Sequence, residues 1–481
     1  MAIEIPWSIL KTELGLIALA LGSLGLNIFL PKEKSGTTLA NIAMIGITAL
    51  FAGLSLEWLN FGYGFHDTYV QDGVSICFKG LFLLAGFLTV FMAREYQAQL
   101  ERGQGELVLL ILFSLIGMLF LASANDFLLL FISIETLSIC LYIMTAYLRG
   151  NQASIEAGMK YLILGALSTA VSLFGLSFIY GSTGSLSYPE IQYKLSTFAS
   201  LPVPFIFGMI LVISSLGFKI ASAPFQLWAP DVYQGAPTPV AAYLAIGSKA
   251  AGFAALIRLL LTVFQPAQAQ LSILFSILAA LTMLYGNLGA IGQTNIKRLL
   301  GYSSIGHAGY LLIGLAAFNH SGREAVVYYL FTYLFSAGGA FLVLVAISSH
   351  VKTGEIRELA GLSKKSPILA AAMLFSLMSL AGVPPFAGFF AKFYLLWASV
   401  QEGLLWLTVI GLLNIITSLY YYLKIVKVIY IDESPDTRTP DISFDQKAIL
   451  YFIMFGIVTL GIFQAPLIHL ITTAFSIFPN Q

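Results

Sequence analysis

The sequence predicts an all-α membrane protein with about 14 transmembrane helices. Of its 481 residues, 58% are apolar and only 10% are charged. A soluble domain usually carries about a quarter charged residues, so a chain this poor in charge must use lipid as its solvent. The apolar runs are long and continuous, which favours helices over the alternating strands of a membrane β-barrel. The net charge of +1 gives no basic field for nucleic acid.

Each apolar run approaches the length of a helix that crosses a bilayer, about 20 residues. The predicted spans are 14–30, 38–56, 74–93, 106–123, 126–148, 156–181, 203–223, 239–264, 270–291, 299–318, 325–349, 367–399, 404–430 and 447–475. An even number of spans places both termini on the same side of the membrane.

Basic residues are divided unevenly between the two sets of loops. One set of alternate loops holds Lys32, Lys34, Arg94, Arg102, Arg149, Lys297, Arg298, Lys352, Arg357, Lys364, Lys365, Lys424, Lys427, Arg438 and Lys447. The opposite loops and the termini hold only Lys11, Lys194 and Arg323. Cytoplasmic loops are enriched in lysine and arginine, so the first set is predicted to face the cytoplasm and both termini the other side.

Prolines should interrupt the seventh and twelfth helices. One interruption lies in GFKIASAPFQLWAPDVYQGAPTP, from Gly217 to Pro239, and the other in AGVPPFAGFFAKFYLLW, from Ala381 to Trp397. Proline removes a backbone donor and clashes with the preceding turn. The two breaks share the local patterns SAPF and VPPF, with five helices per repeat between equivalent points. An odd number of helices inverts the second copy, so we predict two inverted repeats with discontinuous helices, as in transporters.

These observations divide the chain into four regions. We predict an N-terminal three-helix region at 1–105, a first repeat at 106–265, a second at 270–430, and a cytoplasmic loop with a C-terminal helix at 431–481. No phosphate-binding loop, metal-ligand cluster or nucleophile constellation is recognisable in the sequence. We therefore expect no cofactor and no metal ion in this chain.

Ionisable residues inside the spans carry the functional signal. The basic ones are Lys79, Lys160, Lys219, Lys249, Arg258 and Lys392, and the deepest acid is Glu135. A charge at the bilayer centre costs several kcal/mol or more. At about 1.5 Å per residue, Glu135 is roughly 14 Å into its helix and Lys249 roughly 15 Å. Lys219 and Lys392 flank the proline breaks, where irregular backbone can admit water.

A structural alternative exists for each of these residues. Lys79, Lys160 and Arg258 lie within about two turns of a helix end, so snorkelling to the interface could explain them. Glu135 could simply neutralise one lysine. Lys219, Lys249 and Lys392 together outnumber the clearly buried acids, so they must lose their charge or line a hydrated channel.

That imbalance suggests proton transfer. Burial disfavours the charged form of a lysine, and a nearby carboxylate favours it. We therefore predict that movement of Glu135 toward or away from Lys219 switches this lysine between proton loading and unloading. His307, with Ser303 and Ser304, could extend a hydrogen-bonded proton path, or it could be a histidine satisfied by a neighbouring helix.

Three stretches resemble the antiporter-like subunits of respiratory complex I. They are FISIETLSICLYIM (Phe131 to Met144), SLGFKIASAPFQLWAPDVYQGAPTPV (Ser215 to Val240) and IKRLLGYSSIGHAGY (Ile296 to Tyr310). The resemblance covers roughly residues 106–430 and implies the family fold of 14 helices with two inverted five-helix repeats.

The resemblance also implies roles for individual residues. Glu135 matches the family's glutamate of helix 5, and Lys219 matches the lysine of the broken helix 7. Lys249 matches the connecting residue of helix 8, and Lys392 the terminal proton-channel residue of helix 12. Lys160 matches a family lysine whose role is less settled.

Among these subunits the chain is most similar to subunit N, also called subunit 2. Subunit M and its antiporter relative carry a glutamate in helix 12 where this chain has Lys392, and subunit L has a long C-terminal arm. The resemblance implies a proton-translocating subunit of an NADH:quinone oxidoreductase, with other membrane subunits as partners and with NADH and quinone used in or near those partners. It implies a bacterial inner membrane, with a thylakoid-type membrane as the alternative.

Other functions remain open at this point. A subunit of a multisubunit Na⁺/H⁺ antiporter or of a membrane-bound hydrogenase shares the motifs of helices 7 and 8. A self-sufficient transporter of a small solute and a passive scaffold are two further classes.

Overall fold

The computed structural model describes residues 7–58, 60–100, 103–348, 353–433 and 439–476, and within these ranges the chain is almost entirely helical. The first ten helices are α1 (Lys11–Phe29), α2 (Lys32–Glu57), α3 (Gly73–Glu95), α4 (Gln104–Ala122), α5 (Phe127–Thr145), α6 (Gln152–Thr183), α7 (Tyr188–Thr197), α8 (Val203–Ile220), α9 (Trp228–Gly235) and α10 (Thr238–Tyr243). The others are α11 (Lys249–Leu261), α12 (Gln268–Ile291), α13 (Ile296–Ala317), α14 (His320–Ala346), α15 (Leu362–Lys365), α16 (Pro367–Ala381), α17 (Ala387–Gln401), α18 (Leu405–Tyr430), α19 (Phe444–Ile462) and α20 (Ala465–Ser476). A short antiparallel hairpin, β1 (Gly62–Gly64) and β2 (Tyr69–Gln71), connects α2 to α3.

The number of membrane crossings agrees with the sequence. In the described part of the chain, 13 helical segments are long and apolar enough to cross a membrane. The remaining predicted span, 367–399, is formed by α16 and α17, which have 15 residues each. The predicted all-α membrane fold with about 14 crossings is therefore confirmed.

The last predicted span, 447–475, is wrong as a single helix. The structure divides it into α19, which ends at Ile462, and α20, which begins at Ala465. Pro466 lies in the first turn of α20, where its missing N–H leaves no helical hydrogen bond unmade. In the interior of a continuous helix the same proline would clash with the preceding turn.

The predicted break in the seventh span is present between α8 and α9. Ala221 follows α8 in the left-handed conformation, with φ of 57°. The N–H of Ser222 donates to the carbonyl of Gly217 at 2.9 Å. The indole N–H of Trp228 donates to the carbonyl of Phe218 at 3.0 Å. Backbone oxygens freed by the break are thus satisfied within the protein, as a nonpolar environment requires.

The predicted break in the twelfth span is present between α16 and α17. Gly382 caps α16 with φ of 85°, a conformation that glycine adopts without strain. The N–H groups of Gly382 and Val383 donate to the carbonyl of Met378 at 3.1 and 3.0 Å. In both breaks the left-handed residue precedes the proline of the SAPF or VPPF pattern by three positions. The inverted relation of the two repeats and the region boundaries stay predictions.

The most buried crossing is the eighth, Thr238–Leu261. It consists of α10, a π-helical segment at Leu244–Ser248, and α11. Helices α3, α4, α8 and α14 pack against it. Helices α3, α13 and α14 are themselves mostly buried, whereas α1, α2, α6 and α19 expose most of their length. The ionisable residues of the eighth crossing and of α13 therefore lie in the interior of the bundle.

The sidedness of the chain stays a prediction. Three of the basic residues on which it depends, Arg102, Lys352 and Arg438, lie outside the described residues.

Candidate functional site

Five of the predicted site residues lie on α5, α8, α11, α13 and α17, and we call them the polar row: Glu135, Lys219, Lys249, His307 and Lys392. Lys219 is 7% exposed and Lys249 and Lys392 are 2% exposed. His307 is also buried, whereas Glu135 is half-buried. The predicted burial of the three lysines is confirmed, and each needs polar partners inside the protein.

Glu135 lies near the middle of α5, on a side of the helix close to the protein surface. Ile132 and Ile139, three residues before it and four after it, are 52% and 54% exposed. The hydroxyl of Thr169 on α6 donates to Glu135 Oε1 at 2.7 Å. This bond fixes the carboxylate between α5 and α6.

Lys219 lies in the last turn of α8, directly before the helix break. Its Nζ donates to the hydroxyl of Ser138 at 2.9 Å. Ser138 is three residues after Glu135, on the same face of α5. A cavity of about 30 Å³ is lined by both Glu135 and Lys219. A water needs roughly 10–15 Å³ of such space, so this cavity has room for one.

Lys249 occupies the middle of the eighth crossing, immediately after the π-helical segment Leu244–Ser248. Such segments are rare and are often found at functional sites. The Nζ of Lys249 donates to the backbone carbonyl of Ser304 on α13. The hydroxyl of Ser304 in turn shares a hydrogen bond of 3.0 Å with the hydroxyl of Tyr233 on α9.

Gly252 brings the side chain of Lys219 close to α11. A Cβ atom at Gly252 would lie 3.6 Å from Lys219 Cγ and 2.5 Å from Ile220 Cγ2. Only glycine permits this approach without a shift of the Ile220 side chain. Because Gly252 follows Lys249 by one turn, it places the two lysines on neighbouring stretches of α8 and α11.

His307, in the interior of α13, bonds to two tyrosines. Its Nδ1 lies 2.5 Å from the hydroxyl of Tyr329 on α14, and its Nε2 lies 3.1 Å from the hydroxyl of Tyr422 on α18. The hydroxyl of Tyr422 also bonds to the hydroxyl of Ser303. Both ring nitrogens therefore have partners that can donate or accept a proton.

Lys392 lies in α17 and reaches back to the end of α16. Its Nζ donates to the carbonyls of Leu380 and Ala381 at 2.9 and 3.0 Å. These oxygens are among the unsatisfied carbonyls at a helix C-terminus, where the helix dipole favours a cation. The amine also lies 4.8 Å from the ring centre of Tyr310 on α13. The hydroxyl of Tyr310 donates to Gly411 on α18.

The amines of the polar row bind neutral oxygen atoms. Among the described residues, no carboxylate lies within 4.0 Å of the Nζ of Lys219, Lys249 or Lys392. Burial of an ammonium group without a carboxylate partner costs free energy, and the loss of its proton removes that cost. The hydroxyl of Ser138, which contacts the amine of Lys219, can accept such a proton.

Lys160 lies apart from the polar row. Its side chain is 42% exposed and forms ion pairs with Glu156 Oε1 and Asp231 Oδ2, each at 2.7 Å. Arg298 binds the other oxygen of Asp231 at 2.5 Å. These residues join α6, α9 and α13 at one end of the bundle. Exposed pairs of this kind contribute little to stability, and the exposure of Lys160 agrees with a position near an interface.

The snorkelling explanation is wrong for Lys79 and Arg258. Lys79 is fully buried and lies 2.8 Å from Glu13 Oε1. Arg258 is 3% exposed and donates two hydrogen bonds to the carboxylate of Asp72, at 2.9 and 3.0 Å. Both cations are therefore held by acids of other helices or loops, which the position of a residue within its own span does not reveal.

Several hydroxyl groups that were not predicted from the sequence complete the site. Tyr329 and Tyr422 contact His307, and Thr169 holds Glu135. A tyrosine in the middle of an apolar span is a usable signal, because its hydroxyl must find a partner when buried.

Known proteins match this chain over most of its length. The family described as NADH:quinone oxidoreductase/Mrp antiporter, TM, matches residues 124–418. NADH-quinone oxidoreductase subunit N of Desulforamulus reducens is 39% identical over 464 residues, which cover 96% of this chain and 97% of the relative.

Two solved structures are similar to it. A chain of respiratory complex I from Thermus thermophilus superposes with a TM-score of 0.81 at 33% identity, covering 95% of this chain and 98% of that one. A chain of the Mrp complex from Dietzia sp. superposes with a TM-score of 0.87 at 21% identity, covering 98% and 97%. At that identity the second likeness concerns the fold alone.

Proposed function

This chain belongs to the NADH:quinone oxidoreductase/Mrp antiporter family, with N subunits of NADH-quinone oxidoreductases among its relatives, and from that membership we propose that it is a proton-translocating membrane subunit of such an oxidoreductase. The observation that carries the proposal is the set of three buried lysines, Lys219, Lys249 and Lys392, each held by neutral oxygen atoms. Purely structural cations in a nonpolar interior would have carboxylate partners.

Glu135 and Lys219 form the control point of the pathway. Both residues line one cavity, which has room for a water. A carboxylate close to the amine favours its protonated form, and a distant one favours release. A shift of α5 relative to α8 therefore changes the charge of Lys219.

Lys249, His307 and Lys392 continue the pathway from the first repeat into the second. Lys249 receives the proton from Lys219 across the contact between α8 and α11. His307 relays it through the hydroxyl groups of Tyr422 and Tyr329. Lys392 is the terminal group, and the carbonyls of Leu380 and Ala381 stabilise its charged form.

Redox chemistry belongs to partner subunits in this proposal. NADH oxidation and quinone reduction occur in or near those partners, and their conformational and electrostatic changes reset the polar row. The partners are a neighbouring antiporter-like subunit and small membrane subunits. The membrane is a bacterial inner membrane, with both termini on the non-cytoplasmic side, and the repeats 106–265 and 270–430 carry the two halves of the pathway.

One observation favours a second candidate, a subunit of a multisubunit Na⁺/H⁺ antiporter. It is the description of the matching family, which names Mrp antiporters beside NADH:quinone oxidoreductases. The flanking genes separate the two candidates, since redox subunits accompany an oxidoreductase. Replacing sodium by choline in a pumping assay separates them functionally, because only antiport requires sodium.

The decisive experiment compares Lys219→Ala and Lys392→Ala with Lys424→Ala, whose lysine is exposed. Each variant is expressed in the whole complex, and assembly, electron transfer and proton uptake into inverted vesicles are measured. We expect the first two variants to assemble, lose pumping and slow electron transfer, whereas Lys424→Ala pumps normally. Full pumping by an assembled Lys219→Ala complex contradicts the assignment and favours a scaffold.

A further inference from the structure

A second buried polar cluster lies outside the polar row, where α1, α2, α3 and the β-hairpin meet. Its ionisable members are Glu13, Glu57, Lys79 and Tyr69. Glu13, Tyr69 and Lys79 are 0% exposed, and Glu57 is 2% exposed. The cluster contains two carboxyl groups and a single amine in the interior of the protein, so its charge balance needs an explanation.

Glu13 and Lys79 are in direct contact. Lys79 Nζ lies 2.8 Å from Glu13 Oε1, and the hydroxyl of Tyr69 donates to the same oxygen at 2.8 Å. Lys79 also donates to the hydroxyl of Tyr69 at 2.9 Å and to Gln71 Oε1 at 3.1 Å. This oxygen of Glu13 therefore has two donors, one of them charged, which stabilises an ionised carboxylate.

Glu57 has only neutral donors. The backbone N–H and the hydroxyl of Thr12 donate to Glu57 Oε1, at 3.0 and 2.5 Å. Lys79 and Glu13 are within electrostatic reach of it, but neither forms a hydrogen bond with it among the described residues. Glu57 is therefore the less stabilised of the two as a carboxylate.

The second oxygen of each carboxyl group is free. Oε2 of Glu13 and Oε2 of Glu57 are buried without a hydrogen-bond partner in the described part of the chain. The next charges along α3 and α11 are Asp72 and Arg258, which bind each other through two hydrogen bonds. That pair neutralises itself and leaves the cluster one negative charge in excess if both glutamates are ionised.

We propose that this cluster is a proton-binding site that holds one exchangeable proton, carried mainly by Glu57 and shared with Glu13. With this proton bound, the two carboxyl groups and Lys79 together have no net charge. Release of the proton to water leaves one uncompensated negative charge in the interior, which is the costly state. Because the three groups interact, the proton belongs to the cluster as a whole.

The cluster lies at the end of α1–α3 that is predicted to face the non-cytoplasmic side. It shares no residue with the polar row, so the inference does not depend on the proposed function. Its test likewise measures the protonation of carboxyl groups instead of pumping.

The test is infrared spectroscopy of the purified whole complex in H₂O and D₂O, which detects the carbonyl stretch of protonated carboxyl groups. Compared with the natural protein, Glu57→Gln should lose one protonated carboxyl. Glu13→Gln should also lose one, because Glu57 then ionises to balance Lys79. Lys79→Met should gain one, because both glutamates must then be neutral. Glu106→Gln, at an exposed position, is the matched control and should leave the band unchanged.

Other outcomes overturn the proposal. Equal spectra for the natural protein, Glu57→Gln and Lys79→Met mean that both glutamates are ionised. A band that changes with sodium concentration means that a metal cation occupies the cluster in place of the proton. Glutamine retains the acceptor for Thr12 and mimics a neutral carboxyl, so we expect Glu57→Gln to assemble normally. Failure of this variant alone to assemble means that the ionised form is required, and this also contradicts the proposal.

Discussion

Replacing Tyr422 with phenylalanine removes one oxygen atom from the centre of the polar row and leaves the aromatic ring in place. That oxygen bonds to His307 Nε2 at 3.1 Å and to the hydroxyl of Ser303. The variant leaves the ring nitrogen buried without this partner, which costs about 1–3 kcal/mol. If the proton crosses at this point, that cost is added to the barrier.

An added barrier of this size slows proton transfer by roughly 5- to 150-fold, since about 1.4 kcal/mol corresponds to a factor of ten. The assay is the initial rate of proton uptake by inverted vesicles, divided by the rate of NADH oxidation in the same vesicles. We expect the Tyr422→Phe complex to assemble and to show a clearly reduced ratio or a slowing of both rates together.

The neighbouring residue provides a matched control. Tyr421 is equally buried, and its hydroxyl donates to Asn287 Oδ1 at 3.0 Å instead of contacting His307. Tyr421→Phe leaves a buried acceptor unpaired at a similar cost in stability, so it should affect assembly as much as Tyr422→Phe while pumping normally. Normal pumping by Tyr422→Phe, or equal losses in both variants, would refute the relay through His307.

Three further predictions concern other parts of the molecule. Gly382→Ala should reduce pumping in an assembled complex, because a Cβ there meets Lys392 Cδ at 2.9 Å and the φ of 85° is strained for alanine. The rate of proton uptake by vesicles tests this prediction. Arg258→Met should reduce assembly of the complex, as measured on a native gel, because removing one partner of a buried pair costs about 3–5 kcal/mol. Adding Asp72→Asn should restore much of the assembly, since it removes the unpaired charge and asparagine also caps a helix. Glu135→Gln should lower pumping less than Lys219→Ala, because the amide keeps the acceptor for Thr169 but no longer changes the charge of the lysine; an equal or greater loss in the same assay contradicts the control role.

The crossings could be predicted because hydropathy and length are local properties of the sequence. The runs that became α4, α5 and α13 are continuous and apolar, and the prolines of the SAPF and VPPF patterns mark both interior breaks. Pro466 indicates the break between α19 and α20 in the same way. That break was not predicted, because the residues on both sides of Pro466 are apolar and read as one continuous span. The burial of Lys249 also followed from its depth in its span, and Lys219 and Lys392 were singled out by their positions beside the proline breaks.

Partners that are distant in the chain could not be predicted in the same way. Lys79 is held by Glu13, and Arg258 by Asp72, which is 186 residues away. Nothing within a single span indicates which residue of another helix lies beside it. The π-helical segment before Lys249 was not predicted either, since its sequence, LAIGS, carries no signal that distinguishes it from an α-helix.

The interruption between α16 and α17 and the position of Lys392 are two aspects of one arrangement. In an uninterrupted helix, the carbonyls of Leu380 and Ala381 would be occupied by amides one turn further on. They can accept from the lysine only because the chain stops being helical after them. Mutations that repair the helix and those that delete the amine should therefore be compensatory: a straightened crossing would tolerate an apolar residue at position 392, and a protein that keeps the lysine has to keep the kink.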